Sequence, residues 1–212
     1  MTTLAAKGLL FDMDGTLIDS TQCIELIWRR WADRHGIDFA AILQVMHGRK
    51  GSETVAIVAP HLNAEAETAA LIAEELHSLD GTVALPGALE LLSQLSTEQW
   101  AVVTSAPREL ALAKLKFAGL PLPQHLIGAE DVAQGKPHPA PFLQGAALLQ
   151  LAADDCIAFE DASNGIRSAH AAGATVIAIH SDQTGLAQRC IANFQQLRLS
   201  QSEQSLTLSF TA

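Results

Sequence analysis

The chain has no tyrosine, and aromatic residues of all kinds make up only 5% of its 212 positions. Its core must therefore be built from aliphatic side chains, and a hydrophobic share of 49%, rich in Ala and Leu, is ample for one. Basic residues are also few, 13 Lys and Arg against 23 Asp and Glu, for a net charge of −10. That balance argues against nonspecific binding to nucleic acid or to anionic membranes, but leaves room for a local basic site that holds an anion. The three cysteines, Cys23, Cys156 and Cys190, lie far apart and form no CxxC pair, which argues against zinc and against a disulfide framework. No apolar stretch reaches the roughly 18 residues of a membrane span, and the first residues lack a signal-peptide design. A soluble, cytoplasmic protein is the expectation, with no membrane partner and no nucleic acid.

Five short apolar runs read as buried strands: GLLFD, WAVVTS, HLIGA, CIAFED and TVIAIH. Between most of them lie helical Ala/Leu-rich segments such as GALELLSQL, RELALAKLKFAG and APFLQGAALLQL. This alternation predicts an α/β fold, a Rossmann-like, doubly wound parallel sheet covered on both faces. From Asp19 to Leu85 the rhythm breaks: no strand is evident, and two segments, one capped by Asp19, Ser20 or Thr21 and one by Asn63, read as helices. A crossover this long is an inserted α-helical domain. The expected division is a core of residues 1–18 and 85–212 and a helical cap of residues 19–84. The C-terminal LSQSEQSLTLSFTA alternates weakly and reads as an edge strand or a frayed tail.

The first strand ends in DMDGT, two carboxylates one residue apart. Two such charges at about 4 Å repel by about 4 kcal/mol at an effective dielectric near 20. A cation, a shared proton or separation in solvent could each relieve this. A calcium loop also starts D-x-D, but its fifth and sixth places would hold Asp or Asn and then Gly, where this chain has Thr16 and Leu17. In open parallel sheets, ligands bind beyond the carboxyl ends of the strands. Those ends carry Asp12 and Asp14, then Thr104 and Ser105, then Glu160 and Asp161, with Lys136 in GKPHP before the fourth strand. Clustered acids with oxygen-only donors favour a hard cation, Mg²⁺ in particular.

DMDGT, VVTSA, GKPHP and EDASNG, in this order, resemble the four motifs of the haloacid dehalogenase superfamily of phosphatases. The insertion resembles the small helical cap of its sugar-phosphatase and β-phosphoglucomutase branch. The resemblance implies that Asp12 is the nucleophile that takes up a phosphoryl group, and Asp14 the general acid and then base. It implies that Thr104, with Ser105 beside it, and Lys136 hold the phosphate. Asp12, Asp161 and the Asp14 carbonyl would bind Mg²⁺, with Glu160 as a ligand or a partner of its water. Asp14 stands where the phosphonate hydrolases have Ala. The cap histidine of the β-phosphoglucomutases is missing around Cys23 to Glu25, and Thr16 is unusual for them. A Mg²⁺-dependent phosphatase acting on a small phosphorylated metabolite, a sugar or polyol phosphate, is the resulting expectation. A sugar phosphomutase and a catalytically inactive binding module are the alternatives. In the cap, Arg49 and Lys50 beside Gly48 either meet the substrate or stand as solvated cations.

Overall fold

The computed structural model describes residues 3–202 and 205–211. The chain forms β1 (Thr3–Ala6), β2 (Gly8–Phe11), β3 (Ile18–Asp19), α1 (Thr21–His35), α2 (Phe39–Leu43), α3 (Gly51–Val58), α4 (Ala64–His77) and β4 (Val83–Ala84). It continues through α5 (Ala88–Leu92), β5 (Trp100–Val103), α6 (Arg108–Phe117), β6 (Leu126–Ile127), α7 (Ala140–Leu148), β7 (Cys156–Glu160), α8 (Ser163–Ala171) and β8 (Thr175–Ile179). Three strands close it, β9 (Arg189–Ile191), β10 (Leu197–Gln201) and β11 (Leu206–Phe210).

Six strands pair in parallel in the order β6-β5-β2-β7-β8-β9. Successive side chains of a strand point to opposite faces. Accordingly Leu9, Phe11, Val102, Ile157 and Phe159 join one apolar layer, and Leu10, Val103, Ala158 and Val176 the other. Both faces are dry, which is why these strands read as continuous apolar runs. Three of the aromatics cluster here: Phe11 stacks on Phe159 with centroids 4.9 Å apart, and Phe194 meets both edge-on or tilted.

All five expected strands are present. The sixth, β9, is added at the edge. The C-terminal segment forms strands as well, outside the main sheet. β10 and β11 make an antiparallel three-stranded sheet with β1. Residues 203, 204 and 212 of that segment lie outside the described residues. The stretch expected to lack strands contains β3 at its start and β4 at its end, two residues each, paired antiparallel where the chain enters and leaves the helical insertion. Between them α1 to α4 enclose an apolar cluster of their own that includes Trp28, Trp31, Ile42, Val55 and Leu71. Asn63 caps α4 by accepting from the Ala66 N–H at 3.1 Å. Ser20 occupies the N-cap of α1 without capping it through its side chain, and its hydroxyl is used elsewhere.

Candidate active site

The sheet ends at its carboxyl edge in a cleft roofed by the insertion. Asp12 follows β2 directly, and its N–H donates to the Phe159 carbonyl at 3.0 Å, which continues the ladder and fixes the residue against β7. The chain then turns sharply. Gly15 has φ +83°, and a Cβ there would stand 2.1 Å from Asp161 Oδ2, so only glycine lets the loop lie against that carboxylate. The Thr16 hydroxyl donates to Asp161 Oδ1 at 3.3 Å. Thr104 follows β5 directly, with its N–H on the Ile127 carbonyl and its Oγ1 accepting from the Ala106 N–H.

Lys136 lies at the centre, 1% exposed. Its ammonium donates to Asp12 Oδ1 at 2.5 Å and to Glu160 Oε1 at 2.6 Å. Burial pulls its pKa down, but the two carboxylates more than offset that and hold it above the ordinary lysine range. The other oxygen of Glu160 accepts from the Ala162 N–H at 3.0 Å. Burial also acts on the acids. It raises Asp12 to about 7 against the pull of Lys136, and it raises Asp161 to about 7, helped by the charge on Asp12. Glu160 is raised for the same first reason.

Asp12, Glu160 and Asp161 each bring an oxygen within 4.8 Å of the others. All donors are carboxylate oxygens, and one lysine faces three acids, so this set fits a hard divalent cation. With Glu160 engaged at both oxygens, Asp12 and Asp161 are the acids open to such an ion.

The cleft holds about 160 Å³ and is lined by Asp12, Asp14, Thr104, Ser105 and Asp161 from the core. Ser105 reaches across to the insertion, donating to the Gly48 carbonyl at 3.3 Å. The insertion contributes Ile24, Glu25, Trp28, Thr68, Leu71 and Glu75. Arg49 also lines the cleft, with its Nε on the Val45 carbonyl and its guanidinium 3.8 Å from Glu53. Lys50 is placed differently: its ammonium donates to the Val132 carbonyl of the core at 2.7 Å and does not line this cleft.

A family model for haloacid dehalogenase-like hydrolases matches residues 6–173, which contain every one of these core groups. The chain belongs to that family. Among curated members, Hexitol phosphatase A of Escherichia coli is 41% identical over 84% of this chain and 85% of its own length. Glycerol-1-phosphate phosphohydrolase 2 of Saccharomyces cerevisiae is 35% identical over 84% and 76%. Among solved structures, β-phosphoglucomutase from Clostridium difficile superposes with a TM-score of 0.82 over 91% of this chain and 93% of that one. At 20% identity it establishes the fold alone.

Some residues of the site escape a reading of motifs. Lys114 of α6 is 1% exposed, with its ammonium 2.8 Å from Asp14 Oδ1 and in contact with Glu75 of α4. The Ser20 hydroxyl donates to the same Asp14 oxygen at 2.5 Å. The signal for Lys114 was its spacing: it falls on the stripe of Leu110, Ala111 and Leu115, which a helix turns inward.

Proposed function

We propose that this protein is a Mg²⁺-dependent phosphatase that hydrolyses small sugar or polyol monophosphates through an aspartyl phosphate on Asp12. The observation that carries the reading is the buried Asp12 carboxylate, held by Lys136 on the floor of a cleft that a helical cap closes from above. A carboxylate nucleophile splits hydrolysis into two easier displacements. In the first, an Asp12 oxygen attacks phosphorus, the bond to the leaving alcohol oxygen breaks, and Asp14 gives that oxygen its proton. In the second, Asp14 takes a proton from a water whose oxygen attacks the phosphorus. The Asp12–phosphorus linkage breaks and orthophosphate leaves. Lys136 and Thr104 hold the transferring group, and Lys136 offsets charge that would otherwise repel a phosphate. Mg²⁺, held by Asp12 and Asp161 with the Asp14 carbonyl and with Glu160 behind them, would supply the remaining positive charge.

The non-reacting end of the substrate meets an insertion surface of mixed character. Trp28, Ile24 and Leu71 offer carbon, while Thr68 and Glu25 offer hydrogen-bonding groups. The Thr68 hydroxyl is buried and has no partner among the described residues, so a ligand hydroxyl would satisfy it. A cleft of about 160 Å³, room for on the order of ten waters, suits a small metabolite and not a folded phosphoprotein. The named activities of the curated relatives, on hexitol and glycerol phosphates, agree with this class.

Asp14→Asn is the test of the two-carboxylate mechanism. It removes the proton donor but keeps the main-chain carbonyl. Release of phosphate from a hexitol monophosphate is expected to fall by about 10²- to 10⁴-fold, and release from p-nitrophenyl phosphate far less, because its leaving group needs little protonation. Equal losses on both substrates would count against the acid role.

Metal binding has its own signature in stability. Asp12 and Asp161 are raised from 3.8 to about 7, so in the metal-free fold their bound protons stabilise fully below about pH 4. That contribution is lost as pH rises through about 7. Protons and Mg²⁺ compete for these oxygens, so Mg²⁺ is expected to raise the Tm more at about pH 7.5 than at about pH 5.5, each against excess chelator. Melts that do not respond to Mg²⁺ at either pH would contradict the assignment.

A further inference from the structure

We infer that Lys114 is a positioning residue for this reaction: its ammonium holds one oxygen of Asp14 and ties that oxygen to Glu75 of the cap, so that seating the cap sets the acid for proton transfer. The inference rests on Asp14 acting as the general acid, as proposed above.

Three observations carry it. First, Lys114 is fully buried on a core helix, an expensive place for an ammonium unless a specific geometry requires it there. Second, its two partners come from different domains. Asp14 lies on the loop after β2, and Glu75 on α4, with only 13% of its side chain exposed. Third, Ser20, at the entrance to the cap, donates to the same oxygen of Asp14 as Lys114 does, instead of capping its own helix. Oδ1 is thus held from two sides by groups that flank the cap, and Oδ2 carries no side-chain bond among the described residues. All four side chains line the cleft. A plain stabilising ion pair would not need a terminus on the acid itself, and a buried pair adds little net stability over apolar packing.

The test compares a hexitol monophosphate with p-nitrophenyl phosphate in Lys114→Met, Lys114→Arg and Glu75→Gln, with wild type and Asp14→Asn alongside. Misplacing the acid forfeits part of what deleting it does, so Lys114→Met is expected to lower kcat for the hexitol phosphate by about 30-fold and for p-nitrophenyl phosphate by less than about 3-fold. Lys114→Arg, which can still bridge both carboxylates, is expected to recover most of the loss. Glu75→Gln leaves Lys114 and Asp14 in place and guards against a misfolded Lys114 variant. It should lower kcat selectively for the hexitol phosphate, and combining it with Lys114→Met should add nothing further, because both act through one link. Equal losses on both substrates, unchanged kinetics, or strictly additive effects would overturn the inference while the Asp14→Asn pattern stood. If Asp14→Asn itself shows no dependence on the leaving group, the acid assignment and this inference fall together.

Discussion

Asp12→Asn is expected to lose phosphate release by at least about 10⁴-fold on every substrate, p-nitrophenyl phosphate included. An amide does not attack phosphorus usefully and is a poor ligand for a hard cation. The fold should persist. Asparagine has nearly the size of aspartate, and Lys136 keeps Glu160 as its partner at 2.6 Å. Removing one negative charge from a cluster of three acids and one lysine also relieves repulsion. The Tm in chelator is therefore expected to stay level or rise slightly, while the Mg²⁺-induced rise shrinks. Phosphate release and thermal melts on the purified variant check both halves. Turnover near the wild-type level would remove Asp12 from its role.

Lys136→Met is expected to damage both stability and activity. The change leaves Glu160, which has no exposed surface, without its countercharge. Breaking a buried pair on one side costs about 3–5 kcal/mol, which for a chain of this size is a Tm loss of about 10 °C. Glu160 can escape part of the cost by taking up a proton, since burial already raises its pKa. A raised folded pKa stabilises at low pH and loses that contribution as pH rises, so the destabilisation should be smaller in mild acid than at pH above neutrality. Activity should fall by about 10²- to 10³-fold, the scale of removing one group that stabilises transition-state charge. A Met variant as stable as wild type across this range would show that the lysine does not balance the buried acids.

Much of this was legible in the sequence, for physical reasons that also explain the gaps. Strands covered on both faces need unbroken apolar runs, so β2, β5, β6, β7 and β8 announce themselves. The edge strand β9 consists of Arg189, Cys190 and Ile191, and only Ile191 is buried, so no apolar run marks it. The ribbon of β3 and β4 is two residues long on each side, too short for any periodicity. Asp12, Asp14, Thr104, Glu160 and Asp161 could be picked out because their chemistry sits at strand ends, where the sheet itself converges them, and Lys136 because it stands in the GKPHP motif of the loop before α7. Residues that reach the cleft from helices were harder to see. Lys114 and Glu75 stand in no motif, and only the inward stripe of α6 and the packing of α4 against it bring them together. Loop residues were harder still. Lys50 stands one residue from Arg49, yet one ammonium closes on a core carbonyl while the neighbouring guanidinium lines the cleft. No spacing rule encodes that choice.

A phosphoryl group carried on Asp12 can be trapped chemically. Enzyme turning over a hexitol monophosphate with Mg²⁺ would be quenched, treated with borohydride, digested and sequenced by mass spectrometry. Borohydride reduces an aspartyl phosphate to homoserine. The expected result is homoserine at position 12 in the peptide that follows Lys7, appearing only when substrate is present and absent from Asp12→Asn. Unmodified Asp12 in every quench of an active enzyme, or a reduced residue at another aspartate, would contradict it.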